Sequence, residues 1–426
     1  MKLDILKRIL TAGFAASLFT CSFVSCSEET QDSEEEEEAE VQTLTVEDEA
    51  YYSRFKGKDI SINVYNWGEY ISDGSEDGTL NVNDEFTELT GIKVNYTNYA
   101  TNEELYAKLK GGGASYDIII PSDYMISRMI DEDMIQKLDY SNIPNFSYTS
   151  DSFVAPEYDP QNEYSVPYMW GTVGIIYDTT VVDIAKEDID WDILWNEDYA
   201  DRILMFDNPR DAFAIAQLKL GYSLNTEDPK ELKACAEELK EQKKVVQAYV
   251  MDEIFDKMGA GEAIIAPYYA GDAITLMDDN EDLGFVIPKS GTNLFIDAMC
   301  IPKSSKQKEA AEMYINFMCE PDIAYANTSY IGYSTPNDAA LDMLDDEVKN
   351  DGISYLSDEY LDNNTTVYKN LSADANQNMQ DLWTELKSAQ DETKNKWIVP
   401  VFMLSCVLLS IIILIRRYIK KKKDIF

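Results

Sequence analysis

The sequence predicts an α/β protein whose chain ends in a transmembrane helix. From residue 59 onward, strand-like apolar segments alternate with amphipathic helical segments, a pattern typical of a mostly parallel sheet with helices packed on its faces. Near the C-terminus, residues 397–415 contain no charged side chain, and a helix of that length spans a bilayer. The length of 426 residues is enough for two or three domains with packed cores.

The N-terminal residues 1–26 have the pattern of an export signal. Three basic residues near the start precede a short apolar stretch, and an acidic segment follows Cys26. Residues 23–26 are similar to a bacterial lipobox, although Phe23 stands where leucine is usual. We therefore predict that Cys26 is lipidated, with membrane lipid as a partner. Simple cleavage of the signal and an uncleaved anchor remain alternatives.

Residues 27–58 are predicted to be an acidic linker. Residues 34–38 are all glutamate, and like charges at this density repel one another and keep a segment solvated. A cation-binding role for this segment is the alternative. The whole chain has a formal net charge of −43 at pH 7, so nucleic acid, whose phosphates would be repelled, is not an expected partner.

The composition excludes several classes of enzyme. The chain contains no histidine, which excludes Ser-His-Asp and Cys-His catalysis, HExxH zinc sites and facial-triad iron sites. Outside the two terminal segments the cysteines are Cys235, Cys300 and Cys319, and none of them has CxxC spacing. Because three cysteines form no closed disulfide framework, we predict that they are small buried hydrophobic residues.

The first part of the folded region alternates strand, helix, strand, helix and strand. The first helix is predicted at residues 83–89, and the second opens with a capping box formed by Thr101 and Glu104. Strands are predicted at residues 60–65, 92–96 and 116–120.

Further strands follow in the second half of the chain. A long strand-like stretch at residues 164–177 is interrupted by Gly171 and Gly174 and is a candidate crossing between two lobes. Shorter strands are predicted at residues 202–206, 263–266 and 294–301.

Aromatic and carboxylate side chains occur together where these strands end. In open parallel sheets, ligands bind outside the carboxyl ends of the strands, so residues at these positions are candidates for a binding site. They are Trp67, Tyr70, Ser122, Tyr124, Asn208, Asp211, Tyr269 and Asp297, with Tyr333 in a later loop.

The C-terminal apolar stretch, residues 397–415, is followed by six basic residues within residues 416–426. The positive-inside rule then places the C-terminus in the cytoplasm and the preceding chain outside the cell. We therefore predict a protein of the cell membrane with an extracellular ligand-binding region. A buried core helix is the alternative, and it fits less well because a basic cluster ends the apolar run.

Six colinear stretches carry a resemblance to a known family. They are VYNWGEY (64–70), LYAKLK (105–110), YDIIIPSDY (116–124), MIQKLD (134–139), SVPYMWG (165–171) and IGYSTPN (331–337). Through these stretches the chain resembles the spermidine/putrescine-binding proteins of ABC transporters, within the bacterial type II extracellular solute-binding proteins. The resemblance extends over residues 60–387.

The resemblance implies a two-lobed type II periplasmic-binding-protein fold, in which two α/β lobes joined by crossing strands close on a ligand. Together with the C-terminal transmembrane helix, this is the predicted fold class. Lobe 1 is expected to comprise residues 59–171 and 296–341, and lobe 2 residues 172–295 and 342–390.

The resemblance also implies the type of site. In this family an aromatic box holds the methylene groups of a polyamine while carboxylates hold its ammonium groups. Tyr269 and Phe295 stand where tryptophan is common, and Asn208 stands where an acid is common. No catalytic residue, metal or cofactor is implied. The implied ligand-binding residues are Trp67, Tyr70, Ser122, Tyr124, Asn208, Asp211, Tyr269, Phe295, Asp297 and Tyr333.

From these features we predict the substrate-binding subunit of a polyamine importer, not an enzyme, with the ABC permease subunits and their ATPase as partners. A receptor of this fold for another small solute is one alternative. A carboxylate-dependent surface hydrolase is another, because glycosidases also use paired carboxylates. A sensor that signals across the membrane is a third, although residues 416–426 are too short for an output domain.

Overall fold

The computed structural model describes residues 44–46, 48–113 and 115–389. The predicted export signal with Cys26, most of the predicted linker, the predicted transmembrane helix at residues 397–415 and the basic tail lie outside the described residues.

The predicted fold class is corrected in one respect. Within the residues that the structure describes, no helix has both the length and the apolar composition needed to cross a membrane. The described fold is α/β with two lobes, and a C-terminal transmembrane helix is not part of it as described. The predicted cytoplasmic C-terminus depended on that helix and loses its support.

Ten strands of the described chain form one mixed sheet in the order β2-β1-β3-β9-β4-β7-β5-β6, with β10 paired to β9 and β8 paired to β4. The strands are β1 (Ser61–Trp67), β2 (Lys93–Tyr99), β3 (Ile118–Ile119), β4 (Ser165–Asp178), β5 (Ile203–Phe206), β6 (Val246–Val250), β7 (Ile265–Tyr269), β8 (Leu283–Val286), β9 (Thr292–Cys300) and β10 (Thr365–Val367).

The described α-helices are α1 (Glu49–Ser53), α2 (Val82–Thr90), α3 (Asn102–Lys110), α4 (Asp123–Asp131), α5 (Pro209–Leu220), α6 (Pro229–Gln242), α7 (Glu253–Gly259), α8 (Ala270–Asp279), α9 (Lys308–Met318), α10 (Pro321–Ile331), α11 (Asp338–Met343), α12 (Asp346–Lys349), α13 (Asp358–Asn364) and α14 (Ala373–Ser388). Short 3₁₀ helices occupy Tyr140–Asn142, Pro144–Tyr148, Asp151–Phe153, Lys186–Asp188, Trp191–Trp195 and Glu197–Tyr199.

Local sequence signals explain where the helices begin and end. The side chain of Thr101 accepts a hydrogen bond of 3.1 Å from the backbone N–H of Glu104, which confirms the predicted N-terminal cap of α3. Helix α2 ends at Gly91, whose φ of 76° is the left-handed conformation that glycine adopts without strain. At α5, Asn208 is the N-cap and Pro209 follows at the first helical position.

The sheet is mixed and not mostly parallel as predicted, because two long strands run against their neighbours. Strand β4 pairs antiparallel with β7, β8 and β9, and β3 also pairs antiparallel with β9. The other neighbouring pairs are parallel, as expected for strands joined through helices. Strands β4 and β9 therefore join two parallel halves of the sheet.

Two large hydrophobic cores lie on either side of this junction. One is formed by residues between 52 and 169 together with residues between 295 and 333. The other is formed by residues between 173 and 286 together with residues between 371 and 386. The chain thus builds two α/β lobes from discontinuous segments. Cys235, Cys300 and Cys319 are buried with free thiols, as predicted.

Helix α1 lies within the range predicted as the acidic linker. Its Tyr52 is buried, and the Tyr52 hydroxyl donates a hydrogen bond of 2.7 Å to a carboxylate oxygen of Glu320. The folded part of the chain therefore begins several residues before the first strand.

Candidate functional site

The ends of the central strands supply the walls of a cavity between the two parallel halves of the sheet. Strand β1 ends at Trp67 and β7 ends at Tyr269, while Ser122 and Asn208 are the N-caps of the helices that follow β3 and β5. The cavity has a volume of about 590 Å³ including its open mouth. All ten ligand-binding residues predicted from the sequence line it: Trp67, Tyr70, Ser122, Tyr124, Asn208, Asp211, Tyr269, Phe295, Asp297 and Tyr333.

Asp297 projects from the crossing strand β9, where it lies opposite Met169 of β4. Its side chain is buried, and Oδ2 accepts a hydrogen bond of 2.7 Å from the hydroxyl of Tyr70. The other oxygen, Oδ1, is also buried, and no donor among the described residues hydrogen-bonds to it. One oxygen of this carboxylate is therefore held in place while the other remains available to a donor in the cavity.

Asp211 lies in the first turn of α5 and is surrounded by donors. Oδ2 accepts hydrogen bonds from the hydroxyl of Tyr269 at 2.6 Å and from the side-chain amide of Asn208 at 2.7 Å. Oδ1 accepts a hydrogen bond of 3.0 Å from the hydroxyl of Tyr368. These donors fix the orientation of the second carboxylate of the site.

Burial alters the ionisation of both carboxylates. Removal from water and the negative charge of Asp211 raise the pKa of Asp297, whereas the neighbouring hydroxyl groups of Ser122 and Tyr70 lower it. Together these effects bring the pKa to about 7. Burial also raises the pKa of Asp211, whereas hydrogen bonds from Tyr269 and Tyr368 and the charge of Arg210 act in the opposite direction. A cation in the cavity would favour the ionised form of both groups.

The aromatic side chains are held by edge contacts and hydrogen bonds. The indole N–H of Trp67 donates to the backbone oxygen of Ile120 at 2.8 Å. The rings of Tyr70 and Tyr333 meet edge to face with centroids 4.8 Å apart, and those of Tyr269 and Phe295 do so at 5.5 Å. Edge-to-face contacts leave ring faces free, and these faces carry the negative side of the ring quadrupole.

Several lining residues were not predicted from the sequence. Tyr368 follows β10 and reaches Asp211 from a distant part of the chain, so no local pattern indicates it. Asp252 and Asp272 add two more carboxylates. Asp272 could have been predicted from the sequence as a lining residue, since it lies three residues after Tyr269 in the first turn of α8. The remaining unpredicted lining residues are Gly68, Asn102, Met251, Tyr268 and Asn293.

The arrangement suits a cation with an apolar body. Among the described residues that line the cavity there are four aspartates and no lysine or arginine. Within the same described part of the chain, no group of three or more acidic or cysteine side chains is placed to hold a metal ion. Buried carboxylates beside ring faces attract ammonium groups, and the rings also cover methylene groups.

Comparison with known proteins agrees with this geometry. Residues 81–354 match the family described as bacterial extracellular solute-binding protein. A spermidine/putrescine-binding periplasmic protein of Salmonella typhimurium is 39% identical over 292 residues, which cover 68% of this chain and 82% of that protein. The chain belongs to the bacterial extracellular solute-binding proteins.

Solved structures of this family show the same fold. A putative spermidine/putrescine ABC transporter protein of Listeria monocytogenes has a TM-score of 0.73 and 36% identity, and the match covers 78% of this chain and 99% of that one. The spermidine/putrescine ABC transporter substrate-binding protein PotD of Streptococcus pneumoniae has a TM-score of 0.63 and 38% identity, with 77% and 98% coverage. The resemblance inferred from the sequence is confirmed.

Membership of this family also distinguishes between a solute-binding protein and an enzyme. Its members that match this chain are substrate-binding proteins of ABC transporters, so the chain is a solute-binding protein and not an enzyme. The alternative of a carboxylate-dependent hydrolase is therefore not supported.

Proposed function

We propose that this solute-binding protein binds a polyamine such as putrescine or spermidine for an ABC importer. The observation that carries the proposal is the pair of buried carboxylates, Asp211 and Asp297, in a cavity whose other walls are largely aromatic. The printed names of its relatives from Salmonella and Streptococcus point to the same ligands.

The physical argument follows from the shape of a polyamine. Its ammonium groups are separated by short apolar chains, so a receptor needs negative groups at intervals and an apolar, π-rich surface between them. A ring face over an ammonium group contributes about 0.5 to 2 kcal/mol. A buried charge without a partner costs several kcal/mol, so an ammonium group requires a carboxylate beside it. Asp211, Asp297 and the half-buried Asp272 are arranged to supply one.

A neutral or anionic solute fits the cavity less well. An anion would face four aspartates without a basic side chain among the described lining residues. A neutral sugar would leave Asp297 buried without a counter-charge and would bring none to Asp211, which disfavours their ionised forms. The cavity therefore favours a cation over the other solutes of this fold.

In this proposal the two lobes close around the polyamine, and the closed form delivers it to the permease subunits, whose transport is driven by the ATPase. The ligand favours the closed form only to the extent that it binds this form more tightly than the open one. Side chains of both lobes line the cavity, so in this proposal the ligand contacts both lobes at once only in the closed form.

The proposal places the binding region outside the cytoplasm, in keeping with the periplasmic location in the names of its relatives. Export through residues 1–26 and lipidation of Cys26 are part of the proposal, and these residues lie outside the described chain. Mass spectrometry of the mature N-terminus tests this: a diacylglyceryl modification on Cys26 supports it, and an unmodified residue at that position contradicts it.

Calorimetry on the purified full chain tests the binding proposal. We expect putrescine or spermidine to bind with one ligand per chain and a dissociation constant in the micromolar range or lower, whereas a neutral diol of equal length should not bind. The absence of both heat and a thermal shift with every polyamine would contradict the proposal.

A further inference from the structure

A buried arginine lies directly behind the aromatic wall of the cavity. Arg210 is 3% exposed and does not itself line the cavity. The central carbon of its guanidinium group lies 4.5 Å from the ring centroid of Tyr368 and 5.5 Å from that of Tyr124. Both tyrosines line the cavity, so the guanidinium group contacts the two rings from outside it.

The partners of Arg210 are unusual for a buried charge. Its Nη2 donates to the side-chain oxygen of Asn225 at 2.9 Å and to the backbone oxygen of Lys369 at 3.3 Å. Nε and Nη1 are buried, and neither has a hydrogen-bond partner among the described residues. Because a buried charge without a counter-ion is costly, the two ring faces and nearby negative groups must offset much of this cost.

The arginine connects three separate elements. It belongs to α5, Tyr124 belongs to α4, and Tyr368 follows β10. The hydroxyl of Tyr368 in turn donates to Oδ1 of Asp211. The guanidinium group therefore contacts a ring whose hydroxyl is hydrogen-bonded to one carboxylate of the site.

We propose that Arg210 is a positioning residue of this site, which holds the Tyr124 and Tyr368 rings from behind and keeps Asp211 oriented and charged for an ammonium group. This inference rests on the proposed function and adds a residue that never touches the ligand. A cation beside a cation-binding cavity weakens the attraction for the ligand by its charge, and in this proposal the positioning of the rings and of Asp211 offsets that effect.

The positive charge of Arg210 affects the ionisation of Asp211, which packing contacts alone would not do. The titratable groups that interact with Asp211 are Glu103, Tyr124, Arg210, Tyr268, Tyr269, Asp297 and Tyr368. Only Arg210 among them is positively charged. Its removal raises the pKa of Asp211 further, so this carboxylate would lose its charge, and the site its affinity for a cation, at a higher pH than in the wild-type protein.

The test is calorimetry with putrescine and spermidine from pH 5.5 to 8.5, on the full chain and the variants Arg210→Met and Arg210→Lys. We expect Arg210→Met to bind at least tenfold more weakly at pH 7, and its loss of affinity on acidification to begin at higher pH. Arg210→Lys keeps the charge but not the planar group, so its pH profile should follow that of the wild type while its affinity is only partly restored.

Arg128→Met is the matched control. Arg128 also lies over a tyrosine ring, 3.8 Å from the centroid of Tyr106, and its Nε lies 3.1 Å from a carboxylate oxygen of Glu132, but neither it nor Tyr106 lines the cavity. This variant should bind as the wild type does.

Two results would overturn the inference while the wild-type protein still binds polyamine. One is an unchanged affinity and pH profile in Arg210→Met. The other is an equal loss in both Arg210 variants without any shift of the pH profile, which indicates packing alone. If Arg210→Met does not fold, the pH profile of affinity in Arg210→Lys provides the test. A profile that is shifted from that of the wild type, although the charge is retained, contradicts the proposal. Absence of binding by the wild type would instead overturn the proposed function, and this inference with it.

Discussion

Asp211 and Asp297 receive different numbers of hydrogen bonds. Asp211 accepts from Asn208, Tyr269 and Tyr368. Asp297 accepts from the hydroxyl of Tyr70 through one oxygen, and its other oxygen has no donor among the described residues. Asp297 therefore gains more from a ligand ammonium group, and its substitution should have the clearer effect on binding.

We predict that Asp297→Asn lowers the affinity for putrescine at least tenfold at pH 8. It should also remove most of the pH dependence of binding near neutrality. Because burial raises the pKa of Asp297 to about 7, this carboxyl is largely protonated below that pH and ionised above it. Only the ionised form attracts an ammonium group, so wild-type affinity should rise as pH increases through this range. Calorimetry at several pH values measures both effects.

The same substitution should affect the stability of the unliganded protein in the opposite direction. The pKa of Asp297 is raised from 3.8 to about 7 in the folded chain, so the folded state binds the proton more tightly than the unfolded state. Stability from this group is therefore present at low pH and is lost as pH rises from about 4 to about 7. At pH 8 the melting temperature of unliganded Asp297→Asn should equal or exceed that of the wild type.

Asp117→Asn is the control for Asp297→Asn. Asp117 is also buried, accepts hydrogen bonds from the backbone N–H of Asn63 at 2.9 Å and from the hydroxyl of Ser305 at 2.7 Å, and does not line the cavity. This variant should melt at a lower temperature and bind putrescine normally. Equal affinities of Asp297→Asn and the wild type at pH 8 would remove Asp297 from the proposed site.

Sequence reasoning recovered the lining residues that belong to recognisable stretches. Trp67, Tyr70 and Tyr124 lie at strand ends within continuous motifs, so their position along the chain was enough to predict them. Tyr368 and Arg210 were missed as contributors because the contacts that join them to the site link distant segments, such as the 3.0 Å hydrogen bond between Tyr368 and Asp211. No local periodicity encodes a contact of that kind.

At the scale of elements, the start of α8 packs tightly against the loop that carries Tyr333. A Cβ atom added to Gly271 would lie 2.1 Å from Cδ2 of Tyr333, far closer than two carbon atoms can approach. Glycine at this position therefore allows the Tyr333 ring to reach the cavity and to meet Tyr70 edge to face.

We predict that Gly271→Ala displaces Tyr333 and weakens polyamine binding at least tenfold. Inserting a methyl group into such a packed contact typically costs about 1 to 3 kcal/mol of stability. Calorimetry measures the affinity, and thermal unfolding of the unliganded protein measures the stability. Both should fall.

Gly259→Ala is a matched control at the end of α7. A Cβ atom there has no neighbour within 4 Å, so only helix propensity changes, and this favours alanine by up to about 1 kcal/mol. Binding should be unchanged. Wild-type affinity in Gly271→Ala would show that the Tyr333 ring is not required where it lies.

The boundaries of the long elements were predicted more accurately than those of short ones. The stretch at residues 164–177 is strand β4, Ser165–Asp178, because a long apolar run between polar residues has little freedom in its limits. The strand predicted at residues 116–120 is reduced to Ile118–Ile119, and Ser122, shortly after it, is already the N-cap of α4. The antiparallel direction of β4 and β9 was not predicted, because residue alternation does not reveal which neighbour a strand pairs with.

At the scale of the whole molecule, the formal net charge of −43 at pH 7 creates a field that attracts cations. Salt screens this field over distances of about 10 Å at 0.1 M and about 3 Å at 1 M. The buried contacts with Asp211 and Asp297 are less exposed to screening. Binding measurements at different ionic strengths therefore distinguish the long-range attraction of the ligand from its contacts within the cavity.

We predict that raising the NaCl concentration from 0.05 M to 0.5 M slows the association of spermidine several-fold and changes its dissociation rate little. Stopped-flow measurement of tryptophan fluorescence provides both rates, with an uncharged osmolyte at equal osmolality as the control. An unchanged association rate together with faster dissociation would show that the overall charge does not guide the ligand.

The two-lobed architecture followed from the resemblance to a family, and the alternation of strands and helices alone indicated only an α/β chain. The apolar stretch at residues 397–415 lies outside the described residues. No helix of the described chain can cross a membrane, so the fold is described without a transmembrane helix.

Strand β9 carries Phe295 and Asp297 and also joins the two lobes through its pairing with β4. Points close to a rotation axis move least, so a hinge through these strands would displace Asp297 only slightly. The carboxylate near the axis would be accessible and correctly placed even before the lobes meet. Capture would then proceed in a fixed order, with one ammonium group anchored first and the remaining contacts added as the walls converge, and release to a membrane partner would reverse that order.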